Sequence, residues 1–151
     1  MVDKIISGGQ TGADRAALDF ALSHGIAHGG WCPKGRRAED GKIATHYHLT
    51  ETDSTFYDAR TEANVRDSDA TVIFSLAPIL EGGSKLTFNV AKKLKKPVLH
   101  LHPGLVFEAS DELAAFIARY KVHILNVAGS RVSKEPGVGE FVTRVLEKVF
   151  V

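Results

Sequence analysis

The stretch Ala70-Thr71-Val72-Ile73-Phe74 decides the fold, because it is almost wholly apolar and rich in β-branched residues. A run of this kind is typical of a central strand in a parallel sheet that is covered on both faces. A glycine-rich turn, Gly82-Gly83-Ser84, comes later, and the pattern after it predicts a helix through Thr87 to Leu94. A strand, a turn and a helix in succession form part of a βαβ unit.

The same alternation extends in both directions along the chain. Short β-rich runs predict strands at residues 4–7, 30–32, 97–101 and 122–126, and helical spacing predicts helices at 13–24, 56–66, 110–120 and 138–149. Residues 33–55 have no sustained period and predict a long loop with one short strand at 48–52. The pattern predicts an α/β fold in which helices flank a mostly parallel β-sheet, in a single domain over residues 1–151.

Length and composition bound the possible functions. A chain of 151 residues, 44% of them hydrophobic, can bury one substantial core. Its formal net charge of +1 gives no long-range field that would attract nucleic acid or an anionic membrane surface. No run approaches the roughly 20 apolar residues of a membrane span, and the N-terminal residues lack signal-peptide features. With a single cysteine, Cys32, we expect a cytoplasmic protein whose partners are neither nucleic acid nor membrane.

Two glycine-rich turns predict a site for a phosphate-bearing ligand. One is Gly8-Gly9-Gln10-Thr11-Gly12, after the first strand, and the other is Gly82-Gly83-Ser84. Where a strand ends and a helix begins, backbone N–H groups lack partners and glycine lets a ligand approach closely. For one turn alone, a simple strand-to-helix connection is the better interpretation. Two such turns favour one shared crevice beyond the carboxyl ends of the strands.

Neither turn matches a standard nucleotide-binding motif. The first lacks the Gly-x-Gly-x-x-Gly spacing of a dinucleotide fingerprint, and both lack the Gly-Lys-Ser/Thr ending of a P-loop. Polar side chains that could converge on the crevice can hold a phosphate or pair with the edge of a heterocycle. They are Gln10, Thr11, Asp14, Lys34, Arg36, Arg37, Glu39, Asp40, Arg60, Thr61, Glu62 and Asn64.

Metal binding and thiol chemistry have weaker support. His46-x-His48 and His100-x-His102 each place two imidazoles on one face of a strand, but zinc needs three or four ligands and no local cluster completes either pair. Cys32 is better interpreted as a buried, unreactive thiol than as a metal ligand. We therefore predict neither a metal site nor a catalytic residue.

Four motifs, in order along the chain, carry a family resemblance. They are Gly8-Gly9-Gln10-Thr11-Gly12-Ala13-Asp14-Arg15, the segment 30–41, Arg60-Thr61-Glu62-x-Asn64-Val65 and Gly82-Gly83-Ser84-x-x-Thr87. Together they resemble the molybdenum cofactor carrier protein family. That family is similar in fold to a Rossmann-like group that contains the lysine-decarboxylase-like LOG proteins and DprA. The resemblance implies a Rossmann-like three-layer fold.

The same resemblance implies a function and a set of binding residues. Characterised members of the family hold the molybdenum cofactor, a pterin with a dithiolene and a terminal phosphate, without transforming it. We therefore expect non-catalytic binding, protection and delivery of this cargo, with a possible molybdoenzyme acceptor and a homo-oligomeric carrier. The implied cofactor-binding residues are Gly8, Gly9, Gln10, Thr11, Gly12, Asp14, Lys34, Gly35, Arg36, Asp40, Arg60, Asn64, Gly82, Gly83, Ser84 and Thr87. In this interpretation the second turn and Thr87 hold the phosphate.

Two alternatives use the same pocket. One is a binding protein for a nucleotide or an NAD-derived ligand, and the other is a LOG-like nucleoside monophosphate phosphoribohydrolase. LOG enzymes pair an arginine with a later glutamate, and Arg60 could match the arginine. Val90 stands where the glutamate is expected, and an apolar side chain cannot transfer a proton. Hydrolysis therefore comes second, unless Glu62 or Glu81 has taken over that role.

Overall fold

The computed structural model of the chain describes residues 1–105 and 107–151. Nine strands and five helices are found in this part of the chain. In chain order they are β1 (Lys4–Ile6), α1 (Ala13–Ser23), β2 (Ala27–Gly29), β3 (Trp31–Cys32), β4 (Arg37–Ala38), β5 (Gly41–Lys42), β6 (Thr50–Glu51), α2 (Tyr57–Arg66), β7 (Ala70–Phe74), α3 (Gly82–Lys93), β8 (Val98–Leu101), α4 (Ala109–Tyr120), β9 (Ile124–Gly129) and α5 (Val138–Phe150).

A five-stranded parallel sheet forms the centre of the molecule, with the strand order β2-β1-β9-β7-β8. Every residue of β7 is buried, as its apolar composition predicts for a central strand. Helices α1, α4 and α5 pack together on one face of the sheet, and α2 and α3 pack together on the other. The predicted Rossmann-like α/β fold with a parallel sheet is confirmed.

The strand order places the reversal of winding between β9 and β7. Numbered by position in the chain, the five sheet strands have the order 2-1-5-3-4. If the last strand is counted first, this becomes 3-2-1-4-5, the order of Rossmann folds. The chain therefore leaves β7 and β9 in opposite directions, and their carboxyl ends border a crevice.

The structure corrects the second predicted strand. The sheet contains β2, whereas the predicted strand at 30–32 falls on β3, which pairs with β6 in a separate two-stranded sheet. The cause is Gly30, which has a φ of 125° and would place a Cβ 2.2 Å from the Ser7 carbonyl oxygen. Only glycine tolerates this contact, and the backbone turns out of the main sheet there.

Several boundaries also differ from the prediction. The short strand expected at 48–52 is found as β6, and the predicted loop contains a small antiparallel hairpin, β4–β5. Helix α3 begins at Gly82, so the second glycine turn is the first turn of the helix. Strand β9 continues to Gly129, beyond the predicted end at residue 126.

The C-terminal helix completes the core. Val142, Val145 and Leu146 of α5 are buried against the sheet, and the Phe74 and Phe141 rings meet edge to face with centroids 5.6 Å apart. Among the described residues, no helix is long and apolar enough to cross a membrane.

Candidate functional site

A cavity of about 920 Å³ lies beyond the carboxyl ends of β7 and β9, at the point where the winding reverses. Its walls are the loop from β7 into α3, the segment 126–135, the first half of α2 and part of the first glycine turn. A volume of this size is typical of small-molecule sites. The parallel sheet thus brings four separate segments of the chain together around one space.

The first turn of α3 forms an anion-binding wall of this cavity. Gly82, Gly83 and Ser84 line it, and no acidic residue lies in this turn. The preceding residue, Glu81, makes no side-chain cap hydrogen bond. Backbone N–H groups and the positive end of the helix dipole therefore face the cavity without a side-chain cap.

Lys134 adds a positive charge to the same wall. A Cβ added to Gly82, which has a φ of 53°, would lie 2.6 Å from Lys134 Nζ. Glycine at this position therefore makes room for the ammonium group. Within the described part of the chain, Lys134 has no carboxylate within 4.0 Å. Its charge is available to an anion at the start of α3.

Glu135, the next residue, fixes the loop that leads into α3. Its two carboxylate oxygens accept hydrogen bonds from the backbone N–H groups of Leu76 and Ala77, both at 2.9 Å. Burial alone would raise the pKa of Glu135, but hydrogen bonds from Ser130 and from these two amides lower it overall. Glu135 is therefore a charged anchor between the β7–α3 loop and the segment after β9.

Arg60 is buried between α2 and the first glycine turn. Its Nη1 donates a hydrogen bond to the Gly8 carbonyl at 2.7 Å, and its guanidinium carbon lies 5.1 Å from the centre of the Tyr57 ring. The Arg37 guanidinium lies 5.0 Å from the same ring. Both arginines can therefore make cation–π contacts with Tyr57, which lines the cavity.

Asp14 is the most perturbed acidic group of the cavity wall. Its pKa is raised to about 6, mainly because burial disfavours the charged form; Arg60 and the Gln10 amide partly oppose this effect. Gln10 N–H donates a 3.3 Å hydrogen bond to Oδ2. A strongly shifted pKa inside a cavity is characteristic of functional carboxylates.

The structure brings together nine of the residues that the resemblance implies. Those that line the cavity are Gly8, Gln10, Asp14, Arg60, Asn64, Gly82, Gly83, Ser84 and Thr87. Asn64 is also used structurally, because its Oδ1 accepts from the Trp31 amide and its Nδ2 donates to the Trp31 carbonyl. The Thr87 hydroxyl donates to the Gly83 carbonyl at 3.0 Å.

The other seven residues lie outside the cavity wall: Gly9, Thr11, Gly12, Lys34, Gly35, Arg36 and Asp40. Arg36 donates to the carbonyl groups of Ile43, Ala44 and Tyr47, which shapes its own loop. Asp40 pairs with Arg15 at 2.5 Å. The charges of Arg36 and Asp40 thus have partners outside the cavity wall.

Thr11 and Gly12 belong to a second contact region. The Thr11 hydroxyl donates to Glu39, which also accepts hydrogen bonds from Ser133. A Cβ at Gly12 would lie 2.3 Å from the Ser130 carbonyl oxygen. The first glycine turn therefore packs against the segment after β9.

Sequence reasoning missed that segment. Ser130, Arg131, Lys134 and Glu135 all line the cavity, together with Asn126 of β9. The available signal was Gly129-Ser130-Arg131 after a buried β-rich run, which is a third glycine turn between a strand and a helix. Ending the strand at residue 126 separated this turn from it.

The described residues that line the cavity include no histidine and no cysteine. Within residues 1–105 and 107–151, no three metal-ligating side chains are close enough to hold an ion. Cys32 is fully buried, and burial raises the pKa of its thiol. The Ser75 hydroxyl donates to the Ala77 carbonyl, and His100 Nε2 lies 2.5 Å from the Ser75 oxygen. This pair holds the end of β7 to β8.

Comparisons with known proteins agree with the fold and the motifs. A crystal structure named "Putative molybdenum carrier protein", from Syntrophus aciditrophicus SB, matches with a TM-score of 0.92 and 45% sequence identity. The match covers 99% of this chain and 96% of the other. Among curated proteins, none matches this chain.

A family model described as "Circularly permutated YpsA SLOG family" matches residues 5–150. Circular permutation accounts for the strand order, since moving β9 to the start restores the Rossmann order 3-2-1-4-5. The SLOG superfamily includes the LOG and DprA proteins, so the relationship indicated by the four motifs is confirmed. The chain belongs to the circularly permuted YpsA family of SLOG proteins.

Proposed function

We propose that this chain binds a phosphate-bearing heterocyclic ligand in the cavity and holds and delivers it, with the molybdenum cofactor as cargo. The observation that carries the proposal is the start of α3, where none of the described side chains caps the first turn and Lys134 lies beside Gly82. This arrangement suits the terminal phosphate of such a ligand. The similar structure from Syntrophus aciditrophicus SB, named as a molybdenum carrier, supports the choice of cargo.

The remaining walls suit the body of the ligand. Tyr57 supplies an aromatic ring, and Gln10 and Asp14 supply hydrogen-bonding groups on the side of the first glycine turn. A cavity of about 920 Å³ has room for a phosphorylated pterin. As part of the same proposal, a homo-oligomer of the chain carries the cofactor in the cytoplasm to a molybdoenzyme. The family resemblance supports this part.

A LOG-like nucleoside monophosphate hydrolase is the second candidate, favoured by Glu81 in the cavity wall. Two other glutamates are poorly placed for hydrolysis. Glu62 does not line the cavity, and Glu135 is committed to the Leu76 and Ala77 amides with a lowered pKa. Val90 also lies outside the cavity wall and has no ionisable group. These placements favour holding over hydrolysis.

Gly83 offers a clean test of the phosphate position. A Cβ at Gly83 would meet no atom of the described residues within 4 Å beyond its chain neighbours and the backbone of its own helix, and the φ of Gly83 is not positive, so substitution leaves the helix intact. Gly83→Asp places a negative charge at the start of α3, where it competes with phosphate. We expect it to weaken cofactor binding at least about tenfold, while Gly83→Ala binds like the wild type. Calorimetric titration with molybdopterin measures both, and equal affinities for all three proteins contradict the assignment.

Two assays distinguish delivery of the molybdenum cofactor from hydrolysis of a nucleoside monophosphate. A carrier loaded with molybdenum cofactor should reconstitute an apo-molybdoenzyme, and the Gly83→Asp variant should lose this ability. A hydrolase should instead release free base from a nucleoside monophosphate, which chromatography detects. Base release that disappears in Glu81→Gln would replace the carrier function with the second candidate.

A further inference from the structure

Asp14 carries a buried carboxylate that forms no ion pair with the described residues. Asp14 is only 7% exposed. No cationic side chain in the described part of the chain lies within 4.0 Å of its carboxylate. Its Oδ2 accepts a 3.3 Å hydrogen bond from the Gln10 amide, and the charges of Arg60 and Arg15 and the Gly8 amide also favour the ionised carboxylate. Buried carboxylates are normally paired, because desolvation of an isolated charge is costly. Asp14 therefore has accepting capacity left for a molecule in the cavity.

The neighbouring cations have other partners. Arg60 donates to the Gly8 carbonyl, and Arg15 binds both Asp40 and the Gly9 carbonyl. Asp14 is thus not required to fix either guanidinium. With a pKa of about 6, it is mostly ionised at neutral pH and can only accept hydrogen bonds.

Gln10 supplies the complementary donor. Its Oε1 accepts hydrogen bonds from the Thr11 amide at 3.1 Å and from the Glu39 amide at 2.8 Å. These two bonds fix the orientation of the side-chain amide, and its NH₂ group has no hydrogen-bond partner among the described residues. Gln10 and Asp14 both line the cavity, so an acceptor and a donor stand on the same wall.

We propose that Asp14 and Gln10 select the ring of the ligand by its 2-amino-4-oxo edge, which pterin and guanine share. The carboxylate of Asp14 accepts from the ring N–H and the adjacent exocyclic amino group, and the Gln10 NH₂ donates to the oxo group. Adenine presents an amino group beside a ring nitrogen with a lone pair, so it offers Asp14 one donor and one repulsive contact. This inference rests on the proposed function, because the phosphate held at α3 positions the ring.

Four nucleoside monophosphates test the edge directly. Guanosine monophosphate has both donors, inosine monophosphate lacks the amino group, xanthosine monophosphate has an oxo group in its place, and adenosine monophosphate lacks the ring N–H. In calorimetric titrations we expect the guanosine compound to bind the wild-type chain at least about tenfold more tightly than each of the others. Equal affinities for all four overturn the inference, and this wild-type series stands without any variant.

Asp14→Asn should change which nucleotide the chain prefers, rather than only weaken binding. An asparagine oxygen still accepts from the ring N–H, and its NH₂ group can donate to the second oxo group of xanthine. The variant should therefore prefer xanthosine monophosphate to guanosine monophosphate, reversing the wild-type order. Asp53→Asn is the matched control, because Asp53 is exposed and outside the cavity wall. An unchanged order in Asp14→Asn overturns the role of Asp14.

Failure of the proposed function gives a different result. If the phosphate site at α3 is wrong, Gly83→Asp leaves the binding of every nucleotide unchanged. If only the edge recognition is wrong, the wild-type chain binds all four nucleotides equally and Gly83→Asp still weakens the binding of each. Molybdopterin titrated beside guanosine monophosphate distinguishes the two sources of the same edge. Tighter binding of molybdopterin supports the cofactor, and tighter binding of the guanosine compound assigns the site to a nucleotide while retaining the edge recognition.

Discussion

Asp14 lowers the stability of the folded chain at neutral pH. Its pKa is 3.8 in an unfolded chain and is raised to about 6 by burial in the fold. A raised pKa means that the folded state holds this proton more tightly, so the contribution of Asp14 to stability is most favourable below pH 3.8 and falls as the pH rises through about 6. A destabilising charge in a ligand cavity is a common compromise between stability and binding.

Asp14→Asn should remove this pH dependence. At pH 7.5 we expect the variant to exceed the wild type in free energy of unfolding by up to about 3 kcal/mol, since one pKa unit corresponds to about 1.4 kcal/mol. At pH 4 the difference should nearly vanish, because Asp14 is then protonated in the folded wild type. Urea denaturation at the two pH values measures the change. The exposed Asp53→Asn should show no gain, and a less stable Asp14→Asn at pH 7.5 would refute the sign of the shift.

Single residues also mark the limit of sequence-based prediction of the site. Asp14 and Arg60 were predictable from the sequence. Asp14 lies just after the first glycine turn and Arg60 lies on helix α2, and both segments face the crevice. Arg36 and Asp40 have charges that would suit a ligand equally well. In the structure, however, Arg36 donates to nearby carbonyl groups and Asp40 pairs with Arg15. Charge and spacing along the chain do not reveal which partner lies nearer in space.

At the scale of the elements, the long helices and the buried strand were predictable, and the short strands were not. Strand β7 and helix α5 have strong periodic or apolar patterns that one segment shows by itself. The departure of the chain from the main sheet at Gly30 depends on a close contact with Ser7, which lies far away in sequence. The segment after β9 was missed because the predicted strand ended at residue 126, short of the Gly129 turn. Its position beside β7 and α3 depends on contacts that one segment does not show by itself.

The connection between that segment and the β7–α3 loop should stabilise the site. Glu135→Ala removes the acceptor of the Leu76 and Ala77 amides, and we expect a loss of about 1–3 kcal/mol in unfolding free energy at pH 7. Because the pKa of Glu135 is lowered in the fold, its contribution is present at neutral pH and is lost as the pH falls through that lowered value. Hydrogen exchange at residues 76 and 77 should accelerate, and ligand affinity should fall.

Glu147→Ala is the control, because Glu147 is exposed on α5 and its side chain makes no hydrogen bond or ion pair to the described residues. It should leave exchange at residues 76 and 77 unchanged. If Glu135→Ala has the exchange pattern of this control, the carboxylate does not hold the loop.

For the whole molecule, the strand order was beyond the reach of a single sequence. The alternation of strands and helices predicts a parallel sheet, but it does not say that the last strand lies between the first and the third. That insertion is decided by contacts across the chain, such as the pairing of β9 with both β1 and β7. It also places Lys134 and Glu135 beside α3, so the permuted order assembles the cavity.

A chain with the Rossmann order should therefore fold and bind as the natural chain does. Residues 151 and 1 can be joined by a flexible linker of about six residues, and the chain opened between the exposed Tyr120 and Lys121, so that β9 and α5 come first. Because every strand keeps its neighbours, we expect the same circular dichroism spectrum and ligand affinity within about threefold. Opening the chain instead between Lys134 and Glu135 should abolish binding, since this cut separates the charge at α3 from the anchor of its loop. Equal binding by both permuted chains would show that the segment after β9 does not organise the site.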